Sequence, residues 1–189
     1  MVIPTWFLPT WARSRRAAAL ATLCVLWLAS APSRAQEIIT DERSQAVAQT
    51  VQGILGYTRW PSGSPVVRLC VVGPTEYADE LLKGGALPGE RSMQVRRMRL
   101  DDAELLQLCD AIYAGMLDDV AWRELRARLE SRPLLSISER QELCLIDCMF
   151  CLDVRVGAVT FETNLDSVAR SGVRVNPRVL QLAWRKRSS

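Results

Sequence analysis

The residues of this chain best suited to chemistry are its cysteines. Six occur, Cys24, Cys70, Cys109, Cys144, Cys148 and Cys151, and there is no histidine at all. The missing imidazole removes Ser-His and Cys-His nucleophiles, His-ligated zinc and histidine general bases together. Lys83 and Lys186 are the only lysines. An enzyme would therefore have to work with carboxylates, tyrosine, lysine or thiols. Cys144, Cys148 and Cys151 follow the spacing Cys-x-x-x-Cys-x-x-Cys, with Phe150 before the last. Three thiolates so placed can hold three irons of a cluster and leave the fourth open, as in radical SAM enzymes. Length argues against it, because only 38 residues follow Cys151, too few for the partial barrel that such enzymes build. A zinc site on the same three would lack a fourth ligand. Cys148-Met149-Phe150-Cys151 also has the spacing of a thiol oxidoreductase, but there the pair opens a helix, and here it opens a strand-like run. No catalytic residue, metal site or cofactor is assigned.

The first 35 residues read as an export signal rather than as part of the fold. Arg13, Arg15 and Arg16 form a basic start, Ala17 to Ala29 an apolar run, and Ser33-Arg34-Ala35 a small-residue cleavage site, leaving Gln36 as the new terminus. The run is too short to span a bilayer comfortably, which takes about 20 residues. The segment carries four arginines and no acid, so removing it turns 24 basic and 21 acidic residues into 20 against 21. The apparent basicity belongs to the signal, and a strongly cationic nucleic-acid surface is not expected. Residues 36–189 form a single domain, large enough to bury about 68–70% of the surface its unfolded chain exposes.

Outside the cytosol, cysteines pair. Cys24 leaves with the signal and five remain, which allows two bridges and one odd thiol in 15 arrangements. Cys70 lies in the apolar run Leu69-Cys70-Val71-Val72, and Cys109 ends an amphipathic segment just before another such run. A 70–109 bridge would tie neighbouring elements of one layer and contribute about 4 kcal/mol in the chain-entropy account, against about 2.5 for a 144–151 bridge.

The elements that must carry these residues alternate. Residues 37–57 are expected to be helical, with Ala46, Val47, Thr50, Val51, Ile54, Leu55 and Thr58 on one face. Strands are expected over 66–72, 93–100, 111–114 and 134–137, and helices over 75–83, 101–108 and 118–131. A hairpin follows, 149–156 with 158–162 around Gly157, then helices capped by Asn164 or Asp166 and by Asn176. The acidic pairs Asp101-Asp102 and Asp118-Asp119 open helices, where they complement the dipole. The turn Gly73-Pro74-Thr75 can offer backbone N–H groups to an anion, but its single glycine makes it an ordinary strand-to-helix turn. The pattern indicates an α/β, Rossmann-like sandwich: a central, mostly parallel sheet flanked by helices, with an antiparallel C-terminal hairpin.

Tyr57-Thr58-Arg59-Trp60-Pro61, Leu69 to Gly73, Leu134 to Ser138, Phe161-Glu162-Thr163-Asn164-Leu165 and Ser171-Gly172-Val173 together resemble the YfiR family, over roughly Gln45 to Trp184. The resemblance implies a periplasmic, dimeric protein. It implies restraint of an inner-membrane, YfiN-like diguanylate cyclase by binding its periplasmic portion. Relief comes when an outer-membrane, YfiB-like lipoprotein with an OmpA-type domain sequesters the restraint, which sets cyclic-di-GMP and biofilm formation. By position it implies the bridges Cys70–Cys109 and Cys144–Cys151. Cys148 departs from the family pattern as a free thiol, and Asp147 beside it disfavours the thiolate. The resemblance also places a lipoprotein-facing patch at Glu162, Val168 and Arg170. The plainer alternative is a solvated Glu162–Arg170 pair worth under about 1 kcal/mol. A second class of function, a periplasmic small-ligand binder using the sheet's crevice, stays open.

Overall fold

The computed structural model describes residues 34–129 and 132–185. The expected export segment, Cys24 included, lies outside them except for its last two residues. The chain divides into compact units at 1–37 and 38–189, and the second carries the features below. Among the described residues, no helix is long and apolar enough to cross a membrane.

The opening helix α1 (Arg34–Gly56) is set by the spacing of Val47, Val51, Ile54 and Leu55, all fully buried. Two short strands far apart in the chain, β1 (Thr58–Arg59) and β9 (Arg174–Val175), pair antiparallel as a ribbon of their own. The main sheet holds β2 (Val66–Val72), β3 (Gly85–Leu87), β4 (Arg91–Met98), β5 (Ala111–Ala114), β6 (Leu135–Ser138), β7 (Phe150–Arg155) and β8 (Ala158–Thr163). Its order is β3-β4-β2-β5-β6-β7-β8. The run from β4 to β7 is parallel, and an antiparallel strand closes each edge. The α/β architecture stands, but the sheet is mixed at both edges and not only at the C-terminal hairpin. Gly84 caps a 3₁₀ turn over Leu81–Lys83, its N–H donating to the Leu81 carbonyl, and Gly85 opens β3.

Strand alternation sorts the core into two layers. Val67, Leu69 and Val71 of β2, Tyr113 of β5, Ile137 of β6 and Phe150 of β7 face α1. Cys70, Val72, Ile112 and Cys151 face the other way. There they meet α2 (Leu105–Leu108), α3 (Asp119–Leu129) and a 3₁₀ turn over Gln141–Ile146. Trp122 of α3 is fully buried there, and its indole N–H donates to the Ile146 carbonyl at 2.8 Å. All five cysteines of residues 36–189 lie in this second layer.

The expected helix over 75–83 is a correction: only Leu81–Lys83 forms a 3₁₀ turn. The amides that would begin it are used elsewhere. Glu76 N–H and Tyr77 N–H donate to the Glu139 carboxylate at 2.7 and 3.0 Å, and the Tyr113 hydroxyl donates to it at 2.8 Å. Burial raises the Glu139 carboxyl above its ordinary value, against the lowering effect of those three donors.

Candidate partner interface

The site grows from the end of β8. Helix α4 (Leu165–Arg170) starts at Asn164, whose side-chain oxygen accepts from Ser167 N–H at 2.9 Å. The same amide donates to the Cys144 carbonyl at 2.8 Å. One residue therefore caps α4 and fastens it to the 3₁₀ turn. That turn is itself bridged to β7 by Cys144–Cys151, with Cα atoms 5.9 Å apart. The second bridge, Cys70–Cys109, joins β2 to the segment entering β5.

Asp147 ends the 3₁₀ turn in the left-handed conformation, φ 82°, a region that Asn and Asp tolerate better than most side chains. Its carboxylate accepts from the Ser167 hydroxyl and from Arg170 of α4, each at 2.7 Å, and from Arg126 of α3 at 3.3 Å. Burial pushes its acidity one way, and the Ser167 hydroxyl with the two guanidiniums pushes it further the other. The net effect holds the carboxyl below its ordinary value. Three elements thus converge on one carboxylate.

The expected patch residues fall around this hub. Glu162 and Arg170 are exposed, but Arg170 pairs with Asp147, so the plain Glu162–Arg170 pair is not what forms. Val168 is half-buried and packs on the core layer facing α1. The exposed apolar side chains beside the cap are Leu145 and Leu165, 85% and 64% exposed. Leu145 and Asp147 escape a sequence reading because the 3₁₀ turn has no helical or strand period. The one available signal was three cysteines in eight residues, which pins such a turn.

Cys148 is fully buried, and its thiol donates to the Phe150 carbonyl at 3.5 Å. Burial pushes that thiol up to about 12, so burial rather than Asp147 makes it inert. Cys151 is spent on Cys144, which removes both the Cys-x-x-Cys pair and the three-thiolate arrangement.

The sheet's crevice is narrowed by its own backbone. At the switch between β2 and β5, Met116 N–H donates to the Pro74 carbonyl at 2.7 Å. A Cβ at Gly115 would lie 1.8 Å from that oxygen. Backbone packs closely at that point and Glu139 occupies the amides an anion would use, leaving a cleft of about 270 Å³ beside Glu76, Tyr77, Met116, Glu139 and Arg140. A cleft of about 560 Å³ lies elsewhere, at the C-terminal end of α1, between Tyr57, Arg59, Pro88, Arg174 and Asn176. Arg59 and Arg91 point into α1's last carbonyls, Arg59 to Gly56 at 2.7 Å and Arg91 to Gly56 at 2.9 Å, as cations at a helix C-terminus do.

The YfiR/HmsC-like family matches residues 44–184, well over half of the chain.

Proposed function

This chain belongs to the YfiR/HmsC-like family, and from that membership we propose that it is a periplasmic regulator that acts by binding rather than by catalysis. Its target is the periplasmic portion of a YfiN-like inner-membrane diguanylate cyclase, and its effect is to lower cyclic-di-GMP synthesis and biofilm formation. A restraint of this kind must prefer one conformation of the cyclase, since equal affinity for both would shift nothing. The reading of residues 1–35 as an export signal and the two bridges support an oxidising compartment.

The observation that carries the reading is how the interface is built. An exposed surface with Glu162, Leu165 and Arg170 is fastened by Asn164 and Asp147 to a turn that a disulfide holds. That is a rigid presentation surface with no group poised for reaction. A YfiB-like, OmpA-type lipoprotein docks here and withdraws the regulator from the cyclase. The 144–151 bridge supports this surface directly, so its reduction loosens the surface as well as the fold. Capture of the mature protein by the lipoprotein's OmpA-type domain, compared with Arg170→Glu, tests the site. Capture is expected to fall at least tenfold, in line with a hot-spot loss of about 1.4 kcal/mol or more, while the melting temperature falls by only about 2–4 °C through loss of the partly solvated Asp147 pair. Equal capture removes the surface from consideration.

A further inference from the structure

The chain carries five methionines, Met1, Met93, Met98, Met116 and Met149, and Met1 lies in the expected export segment. Met93 and Met149 are sealed in the core, 2% and 0% exposed, while Met116 is 49% exposed and Met98 is half-buried. A thioether must be reached to be oxidised, so Met98 and Met116 are the two open to an oxidant. Their surroundings differ. Met116 borders the cleft beside Glu139. Met98 ends β4 and packs on the second core layer, as Leu100 does.

Strand alternation fixes what Met98 covers. Met93 and Val95 of β4 turn to the layer facing α1, so Gln94, Arg96 and Met98 share the opposite face. There the Met98 sulfur lies 3.7 Å from Sγ of Cys109, which is bonded to Cys70. Both cysteines are only 2% exposed. A cleft of about 70 Å³, lined by Arg68, Cys70, Gln94, Arg96 and Leu108, reaches the bridge from beside β4. It has room for a few water molecules and not for a thiol reagent. Met98, next along the same face after Gln94 and Arg96, covers the bridge at Cys109.

We propose that Met98 is a methionine-oxidation site and that its sulfoxide uncovers the Cys70–Cys109 bridge to thiols. The co-reactant is a peroxide or a hypohalous acid. With hydrogen peroxide, the Met98 sulfur attacks one oxygen. The O–O bond breaks, an S–O bond forms, and the other oxygen leaves as water. The sulfur is oxidised by two electrons and the peroxide is reduced by two. The product replaces an apolar thioether with a polar acceptor. It would face a disulfide and the aliphatic side chains of the second layer, and burying a polar group there without a donor is unfavourable. The side chain therefore turns outward, and the cleft beside Cys70 widens. A thiolate can then attack one sulfur of the bridge, forming a mixed disulfide and releasing the other as a thiolate. The order is an oxidant first and a thiol second. The inference stands on the packing of β4 over this bridge and is independent of the regulatory reading.

Limited hydrogen peroxide treatment of the disulfide-bonded mature protein, followed by peptide mass mapping and then by glutathione, tests it. One oxygen is expected on Met98 and one on Met116, with none on Met93 or Met149. As Met98 sulfoxide accumulates, the melting temperature should fall by at least about 3 °C. Reduction of Cys70–Cys109 by glutathione should speed up at least about fivefold. Methionine sulfoxide reductases should restore both values. Met116→Leu should respond as the wild type does. Met98→Leu, which conserves volume, should lose both responses while its untreated bridge reduces at the wild-type rate. Should Met98→Leu fail to fold, Met116→Leu decides, because Met98 is then the one reachable thioether among the described residues. No oxygen on Met98 once Met116 is fully converted overturns the proposal. So does bridge reduction that Met98 sulfoxide leaves unchanged, or that speeds up equally in Met98→Leu.

Discussion

At the scale of single residues, the weight rests on Asp147 and Cys148, neighbours with opposite fates. Asp147 is half-exposed and accepts from Ser167, Arg170 and Arg126, while Cys148 is sealed in the core. Because the Asp147 carboxyl is held below its ordinary value, the folded state binds its proton less readily than the unfolded chain does. Its stabilisation is therefore complete above the unfolded value of about pH 4 and fades as pH falls through the lower folded value. Asp147→Asn should cost about 1 kcal/mol at neutral pH, since the pairs are partly solvated, and should flatten the acid limb of stability below about pH 4. Urea unfolding across an acidic pH series checks both, and an unchanged acid limb would deny Asp147 its role as hub. For Cys148, a thiol reagent should find nothing in the native protein and one thiol after unfolding without reductant. Two thiols, or one reacting at native rates, would contradict the pairing and the burial.

At the scale of elements, what was legible followed period and punctuation. The face of α1, the strands β2 and β5, helix α3 and the β7–β8 hairpin are all visible as apolar spacing in the sequence. The region 73–87 was not, because its conformation is decided by a distant residue. Glu139 lies beyond the end of β6 and draws off the amides of Glu76 and Tyr77, a long-range bond that no local propensity records. The proposed surface was half legible: the Asn164 cap comes from the chain's own pattern and Glu162, Val168 and Arg170 from the family resemblance, but Leu145 and Asp147 sit on a turn held by side chains of α3 and α4. The two bridges also differ at this scale. Removing Cys70–Cys109 should lower global stability by about 4 kcal/mol and removing Cys144–Cys151 by about 2.5. The smaller loss should do more to the interface, because Cys144 carries the carbonyl that holds Asn164. Amide exchange over residues 141–147 and 164–170 should therefore rise more in Cys144→Ala/Cys151→Ala than in Cys70→Ala/Cys109→Ala. The reverse order would separate the bridge from the surface.

For the molecule as a whole, a mixed sheet is covered on both faces, backbone packs closely at its switch point, and its five described cysteines share one layer. Its seven-stranded sheet ends in a three-residue strand on one side and a six-residue strand on the other, and a disulfide lies beside the turn that carries α4. A binding regulator needs that rigidity, because its affinity must be directed at one conformation of its target and not lost in ordering itself. The most direct test of this account is cyclic-di-GMP formation by membrane vesicles whose YfiN-like cyclase has its periplasmic portion exposed, titrated with the oxidised mature protein. The account predicts a saturable fall in synthesis, undone when the lipoprotein's OmpA-type domain is added and weakened when the protein is reduced. Synthesis that stays level while the protein is shown to bind nothing on the vesicles, or that changes only through turnover by the protein itself, would contradict it.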